Sequence, residues 1–114
     1  RLRAQALDDI AKMRAATDGP VEYYLRTSVD SGSDLDRALI AASRIAQESD
    51  HQAGAALDEI REAWFGVLDD HLGDEALART IQLIGGGLYY DDSSGIGDPQ
   101  ALTYVREVLG RLGL

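Results

Sequence analysis

The sequence predicts a single all-α domain, about six helices in a compact bundle, and three observations carry that prediction. Apolar residues recur at steps of three and four almost from end to end, the spacing that lines one face of a helix. The breaks between these stretches hold residues that stop and start helices: Asp18-Gly19-Pro20, Ser31-Gly32, Gly73 and Asp98-Pro99. No stretch alternates polar and apolar residues long enough to make a strand, and none is repeated or low in complexity. With 114 residues, 45% of them hydrophobic, the chain has the length of one domain and enough apolar side chains for a core without disulfides or a structural metal.

The first helix has the stripe Leu2, Ala6, Ile10 and Met13, and ends at Asp18-Gly19-Pro20. Pro20 suits the first turn of the next helix, where its missing N–H is no loss. That second helix is short, with Val21, Tyr24, Leu25, Ser28 and Val29 on one face before the break at Ser31-Gly32. Ser33 with Asp36 resembles a capping box and opens a third helix carrying Leu35, Leu39, Ala42, Ile45 and Ala46. Ser49 with Gln52 repeats the box ahead of the longest pattern: Ala53, Ala56, Leu57, Ile60, Ala63, Trp64, Val67 and Leu68, closed by Gly73. Asp74 opens a fifth helix with Leu77, Ile81, Ile84 and Leu88, which the run Asp91-Asp92-Ser93-Ser94-Gly95 stops. Asp98 and Pro99 stand as N-cap and first residue of a sixth, striped by Leu102, Val105, Leu109 and Leu112.

Composition excludes several functions. The net charge of −9 and pI near 4.5 oppose phosphate gripping, so this segment is not expected to read nucleic acid itself. The absence of cysteine removes disulfides, thiolate zinc sites and cysteine nucleophiles, and fits a cytoplasmic protein. No run reaches the roughly 18 apolar residues that span a bilayer, and the N-terminus has no secretion signal, so no membrane partner is expected. The chain begins at Arg1, which points to a fragment or a processed product. Lys12 is the sole lysine and asparagine is absent, a composition bias without chemical meaning.

No catalytic constellation emerges. His51 and His71 lie twenty residues apart on one helix and so on different faces, unable to share a metal. Asp69-Asp70-His71 point in different directions from a helix end. A calcium loop counted from Asp91 finds Leu102 where the bidentate Glu belongs. Gly85-Gly86-Gly87 and Gly95-Ile96-Gly97 lack the third glycine and the preceding strand of a phosphate cradle. No Gly-x-Ser-x-Gly elbow is present, and the paired aspartates sit on polar faces or helix ends. We expect a non-enzyme with no cofactor and no metal.

Two features ask for a function. Three consecutive glycines inside a periodic helix each cost about 1 kcal/mol relative to alanine, which close approach of a second helix offsets; a kink or an early helix end near residue 85 is the alternative. Tyr23, Tyr24, Trp64 and Phe65 fall on the second and fourth helices, where their stripes meet. Filling a core is the plain role for such rings. Tyr24 and Trp64 each carry a polar atom that seeks a partner when buried, which suits a mostly apolar pocket to which Ser28 and Ser43 add hydroxyls.

The order of helices, the segment Asp74-Glu75-Ala76-Leu77-Ala78-Arg79, the stretch Ile81–Leu88 with Gly87-Leu88 before an aromatic pair, the short loop to Asp98-Pro99, and Ala63-Trp64-Phe65 together resemble the C-terminal domain of the tetracycline-repressor (TetR) family of bacterial transcriptional regulators. The resemblance spans nearly the whole chain. One departure is Gly86, where many relatives carry Asp before the Gly-Leu pair. The family's N-terminal helix-turn-helix is absent from this sequence. The resemblance implies a homodimer whose last two helices form an intersubunit four-helix bundle, an unknown small-molecule effector, and operator DNA reached only through a domain outside this chain. It divides the single domain, residues 1–114, into pocket helices over 1–72 and dimerisation helices over 73–114. Interface candidates are Leu77, Ile81, Ile84, Gly87, Leu88, Leu102, Val105 and Leu109. Pocket candidates, each inward-facing by periodicity, are Met13, Tyr24, Ser28, Ser43, Trp64 and Leu68. The competing expectation is a helical dimerisation or protein-interaction module without a ligand pocket.

Overall fold

A computed structural model describes residues 2–30, 32–47 and 51–114, with side chains for all of these except 45–47 and 51–53. Its described residues form six helices and no strand: α1 (Leu2–Ala15), α2 (Pro20–Ser28), α3 (Asp34–Gln47), α4 (His51–Leu72), α5 (Glu75–Ser93) and α6 (Ala101–Arg111). None is long and apolar enough to cross a membrane.

The expected start and stop signals act through specific hydrogen bonds. The Asp36 amide donates to Ser33 Oγ (3.0 Å), and the Leu77 amide donates to Asp74 Oδ1 (3.0 Å), so both acidic-turn starts satisfy amides that have no partner within the helix. Gly73 ends α4 at φ 64°, where its N–H reaches back to the Asp69 carbonyl at 2.7 Å. A side chain is strained in that left-handed conformation, which is why glycine stands at this corner. The second expected box, Ser49 with Gln52, lies outside the described residues. At the last helix the expectation needs correcting. Asp98 and Pro99 form a turn, in which Asp98 Oδ1 accepts the Gln100 amide at 2.7 Å, and α6 starts at Ala101 with Gln100 as its N-cap.

The core gathers where α1, α2, α4 and α5 cross. Met13, Leu25, Leu68 and Ile81 are completely buried there, joined by Val67, Ala78, Leu88 and Leu109. Removing such side chains from water contributes about 1.5–3 kcal/mol each before entropy is counted. The helix α3 packs on α4 and α1 rather than on this cluster. The helix α6 lies at the edge and holds on through Leu109, half-buried Leu102 and Val105, and an ion pair from Arg106 to Glu22 of α2.

The three glycines of α5 do not act alike. A methyl group on Gly85 would stand 2.9 Å from Cζ of Tyr24 and 3.1 Å from Oγ of Ser28, so the missing Cβ is what lets α2 press its tyrosine onto α5. Among the described residues, nothing beyond the helix's own backbone and the adjacent residues lies within 4 Å of a methyl group on Gly86 or Gly87. The helix runs unbroken through all three, so close approach operates rather than a kink, but at Gly85 and within one chain.

Candidate functional site

Beside the core lies a cavity of about 540 Å³, open to solvent on one side and walled by α1 to α5 and the α2–α3 turn. That volume suits a drug-sized molecule. Of the six residues expected to line a pocket, Tyr24, Ser28, Ser43 and Trp64 do so. Met13 and Leu68 do not: both are completely buried in the packed core, with no surface left for a ligand. Their helical phase points inward as expected, but inward at their level means into other side chains.

The aromatic wall is held by hydrogen bonds at every polar atom but one. Tyr24 meets Trp64 edge to face, with centroids 5.9 Å apart and planes at 61°, and donates to the Gln82 carbonyl at 3.3 Å. Burial pushes its hydroxyl pKa up to about 12, opposed in part by nearby Arg61. Asp9 on α1 fixes the other two rings, its Oδ1 accepting from Tyr23 OH at 2.7 Å and its Oδ2 from Trp64 Nε1–H at 3.0 Å. Burial first, and this carboxylate second, hold the Tyr23 proton well above its ordinary range. Ser28 turns its hydroxyl back to the Tyr24 carbonyl at 2.7 Å.

Sequence reasoning missed the most polar part of the wall. Asp36 is only 6% exposed; its Oδ2 accepts the Gly32 amide at 2.8 Å, while its Oδ1 is buried with no partner. Burial first, and an interaction with that carboxylate second, raise the hydroxyl pKa of Tyr89 of α5, although the two groups do not meet at ordinary hydrogen-bond geometry. Gln5 Oε1 on α1 is likewise buried and unpartnered. A signal for Tyr89 was present: four residues beyond Gly85, it shares the α5 face that meets α2. Asp36 offered none, since its place after Ser33 already accounts for it as a capping residue.

Around these groups the wall is acidic. Asp8, Asp9, Asp30, Asp34 and Asp36 line the cavity against Lys12 and Arg61, and Lys12 is tied to Asp8 at 2.9 Å. Among the described residues no three His, Asp or Glu groups are arranged to hold a metal ion. The wall combines rings, hydroxyls and buried acceptors around a space.

The expected interface residues divide. Ile81, Leu88 and Leu109 belong to the buried core of one chain, and Ile84, Leu102 and Val105 are half-buried against it. Leu77 is half-buried, and Gly87 is exposed. Each helix has one apolar stripe, and the chain's own core claims it first. The apolar side chains left facing solvent are others: Leu83 (77% exposed) and Tyr90 (67%) on α5, and Tyr104, Val108 and Leu112 on α6. Leu83, Gly87 and Tyr90 step by four and three, so they share one face of α5 opposite Gly85.

Comparison with family models, with curated proteins and with solved structures gives no match.

Proposed function

We propose that this chain is the sensing and dimerising domain of a TetR-like transcriptional repressor, a cytoplasmic homodimer that binds a small-molecule effector and so controls DNA binding by a domain outside this chain. The observation that carries the reading is the cavity, because its walls combine a ring pair, hydroxyls and buried unpartnered acceptors. A solid core has no use for unsatisfied polar atoms, each of which costs about 1–3 kcal/mol when left without a partner. A ligand supplies the partners.

The dimer half of the reading rests on α5. It gives Gly86 and Tyr89 to the cavity, and its outer face leaves Leu83, Gly87 and Tyr90 uncovered. Gly87 costs helix stability, and among the described residues nothing beyond its own helix would meet a methyl group there; the close approach of a second copy gives the glycine a reason. A ligand that shifts α5 from inside therefore alters the surface on which two copies meet. In a titration of Trp64 fluorescence against a compound library we expect saturable quenching by some members, lost when Ser43→Trp fills the cavity. No response from any member would overturn the ligand half. Light scattering checks the other half: the chain should run as a dimer and Leu83→Asp as a folded monomer, and a monomeric parent would overturn it.

The second reading, a helical interaction module without a ligand, is favoured by the exposed Tyr104, Val108 and Leu112 of α6. It predicts self-association or partner docking with no Trp64 response to any small molecule.

A further inference from the structure

Among the described residues, four buried side-chain oxygens have no hydrogen-bond partner, and three of them, Gln5 Oε1, Asp36 Oδ1 and Tyr89 OH, belong to residues lining the same cavity. They come from α1, α3 and α5, so their convergence is a property of the fold and not of one local turn. Two of the three atoms only accept hydrogen bonds. The third is a hydroxyl beside the Asp36 carboxylate, short of ordinary hydrogen-bond geometry with it, and its lone pairs can accept.

The missing complement is therefore a donor, and the surrounding charge decides its sign. An anion entering here meets an excess of aspartates, and a neutral donor leaves the 6%-exposed Asp36 carboxylate without a counter-charge. No three side chains among the described residues are arranged to ligate a metal ion. An organic cation fits, and the edge-to-face Tyr24–Trp64 pair with Leu39 and Leu57 offers its apolar body a wall.

We propose that the cavity selects a protonated amine with an apolar body, its N–H groups donating to Asp36 Oδ1 and the neighbouring acceptors and its body lying against Tyr24 and Trp64. The proposal rests on reading the cavity as a ligand site and adds the chemical class of the ligand. Ammonium and carboxylate attract strongly where water is sparse, and the charge-assisted hydrogen bonds are shorter and stronger than those of a neutral donor.

The test uses three molecules of one size and shape, phenethylamine, phenethyl alcohol and phenylacetate, titrated into the 114-residue chain with Trp64 fluorescence and calorimetry as readouts. The amine should bind about tenfold or more tighter than the alcohol, and phenylacetate more weakly than either. Asp36→Asn should bring amine and alcohol together, with unchanged thermal unfolding as the folding control. Should Asp36→Asn fail to fold, Tyr89→Phe replaces it and should weaken the amine while leaving the alcohol alone. Equal binding of amine and alcohol to the parent chain would overturn the cation proposal, with water serving Asp36 Oδ1, while leaving the cavity a ligand site. An amine preference that survives the substitution in a folded variant overturns the role of the substituted residue and with it the proposal. Binding of none of the three would remove both the proposal and the reading beneath it.

Discussion

The same helices build a dense region and a hollow one. Where the C-terminal halves of α1 and α4 meet the first half of α5, Met13, Leu68 and Ile81 are completely buried and leave no space. Where the opposite halves of those helices meet α3, the inward positions include Ser43, Asp36 and Tyr89, and a cavity of about 540 Å³ remains. The difference lies in what occupies the inward positions, not in which way they face. In one region long aliphatic chains interdigitate; in the other, small or polar side chains stop short of one another, and Asp36 Oδ1 and Tyr89 OH face the gap without a well-formed hydrogen bond.

Truncation should separate the two regions most sharply. Leu68→Ala removes a completely buried side chain from the dense region, where the surroundings cannot collapse, and should cost about 2–5 kcal/mol. That is a large fraction of a typical domain's stability of about 5–15 kcal/mol. Ser43→Ala at the cavity wall should change stability by less than about 0.5 kcal/mol. Chemical denaturation of the two variants measures both, and equal losses would mean that the hollow region is as tightly packed as the dense one.

The boundary between the regions is the contact of Tyr24 with Gly85, and the neighbouring glycines provide its control. Gly85→Ala drives a methyl into the Tyr24 ring, which is held by Trp64 and the Gln82 carbonyl, and should destabilise by about 1–3 kcal/mol. Gly86→Ala meets nothing beyond its own helix within 4 Å among the described residues and should stabilise by up to about 1 kcal/mol through helix propensity alone. Opposite signs at adjacent positions, read from thermal unfolding, are the expected outcome. Destabilisation by both would show that the run serves backbone flexibility instead.

Most of the fold was legible in the sequence, and the reason it was legible explains what was not. Periodicity reports direction, so the six helices and the inward phase of Met13, Tyr24, Trp64 and Leu68 could be read without coordinates. Whether an inward position is filled depends on its partners from other helices, and no single stripe contains that information; Met13 and Leu68 were therefore grouped with true cavity residues. The same ambiguity applies to the interface candidates. Ile81, Leu88 and Leu109 form the strongest stripes of their helices, and the chain's own core uses them, whereas Leu83 and Tyr104 lie off those stripes and remain exposed. Asp36 and Asp9 were the hardest to see. An aspartate in the first turn of a helix or on a polar face has an ordinary explanation, and only the packing of α3 and α1 against α4 turns these two toward the rings and the cavity.

An effect confined to the alkaline range bears on how dry the boundary is. With its hydroxyl pKa raised by burial to about 12, against an ordinary value of about 10 in the unfolded chain, Tyr24 binds its proton more tightly when the protein is folded. The stabilisation this reflects is fully present below about pH 10 and is lost as the pH rises toward 12, where the unfolded chain has already released the proton. Between those limits the slope should be about 1.4 kcal/mol per pH unit from this group. Unfolding midpoints measured across the alkaline range in the parent and in Tyr24→Phe isolate it: the parent should lose stability faster, and the difference should vanish below pH 9. A parallel pair of curves would mean that water reaches the hydroxyl at the foot of the cavity, and that the boundary between the dense and hollow regions is wet.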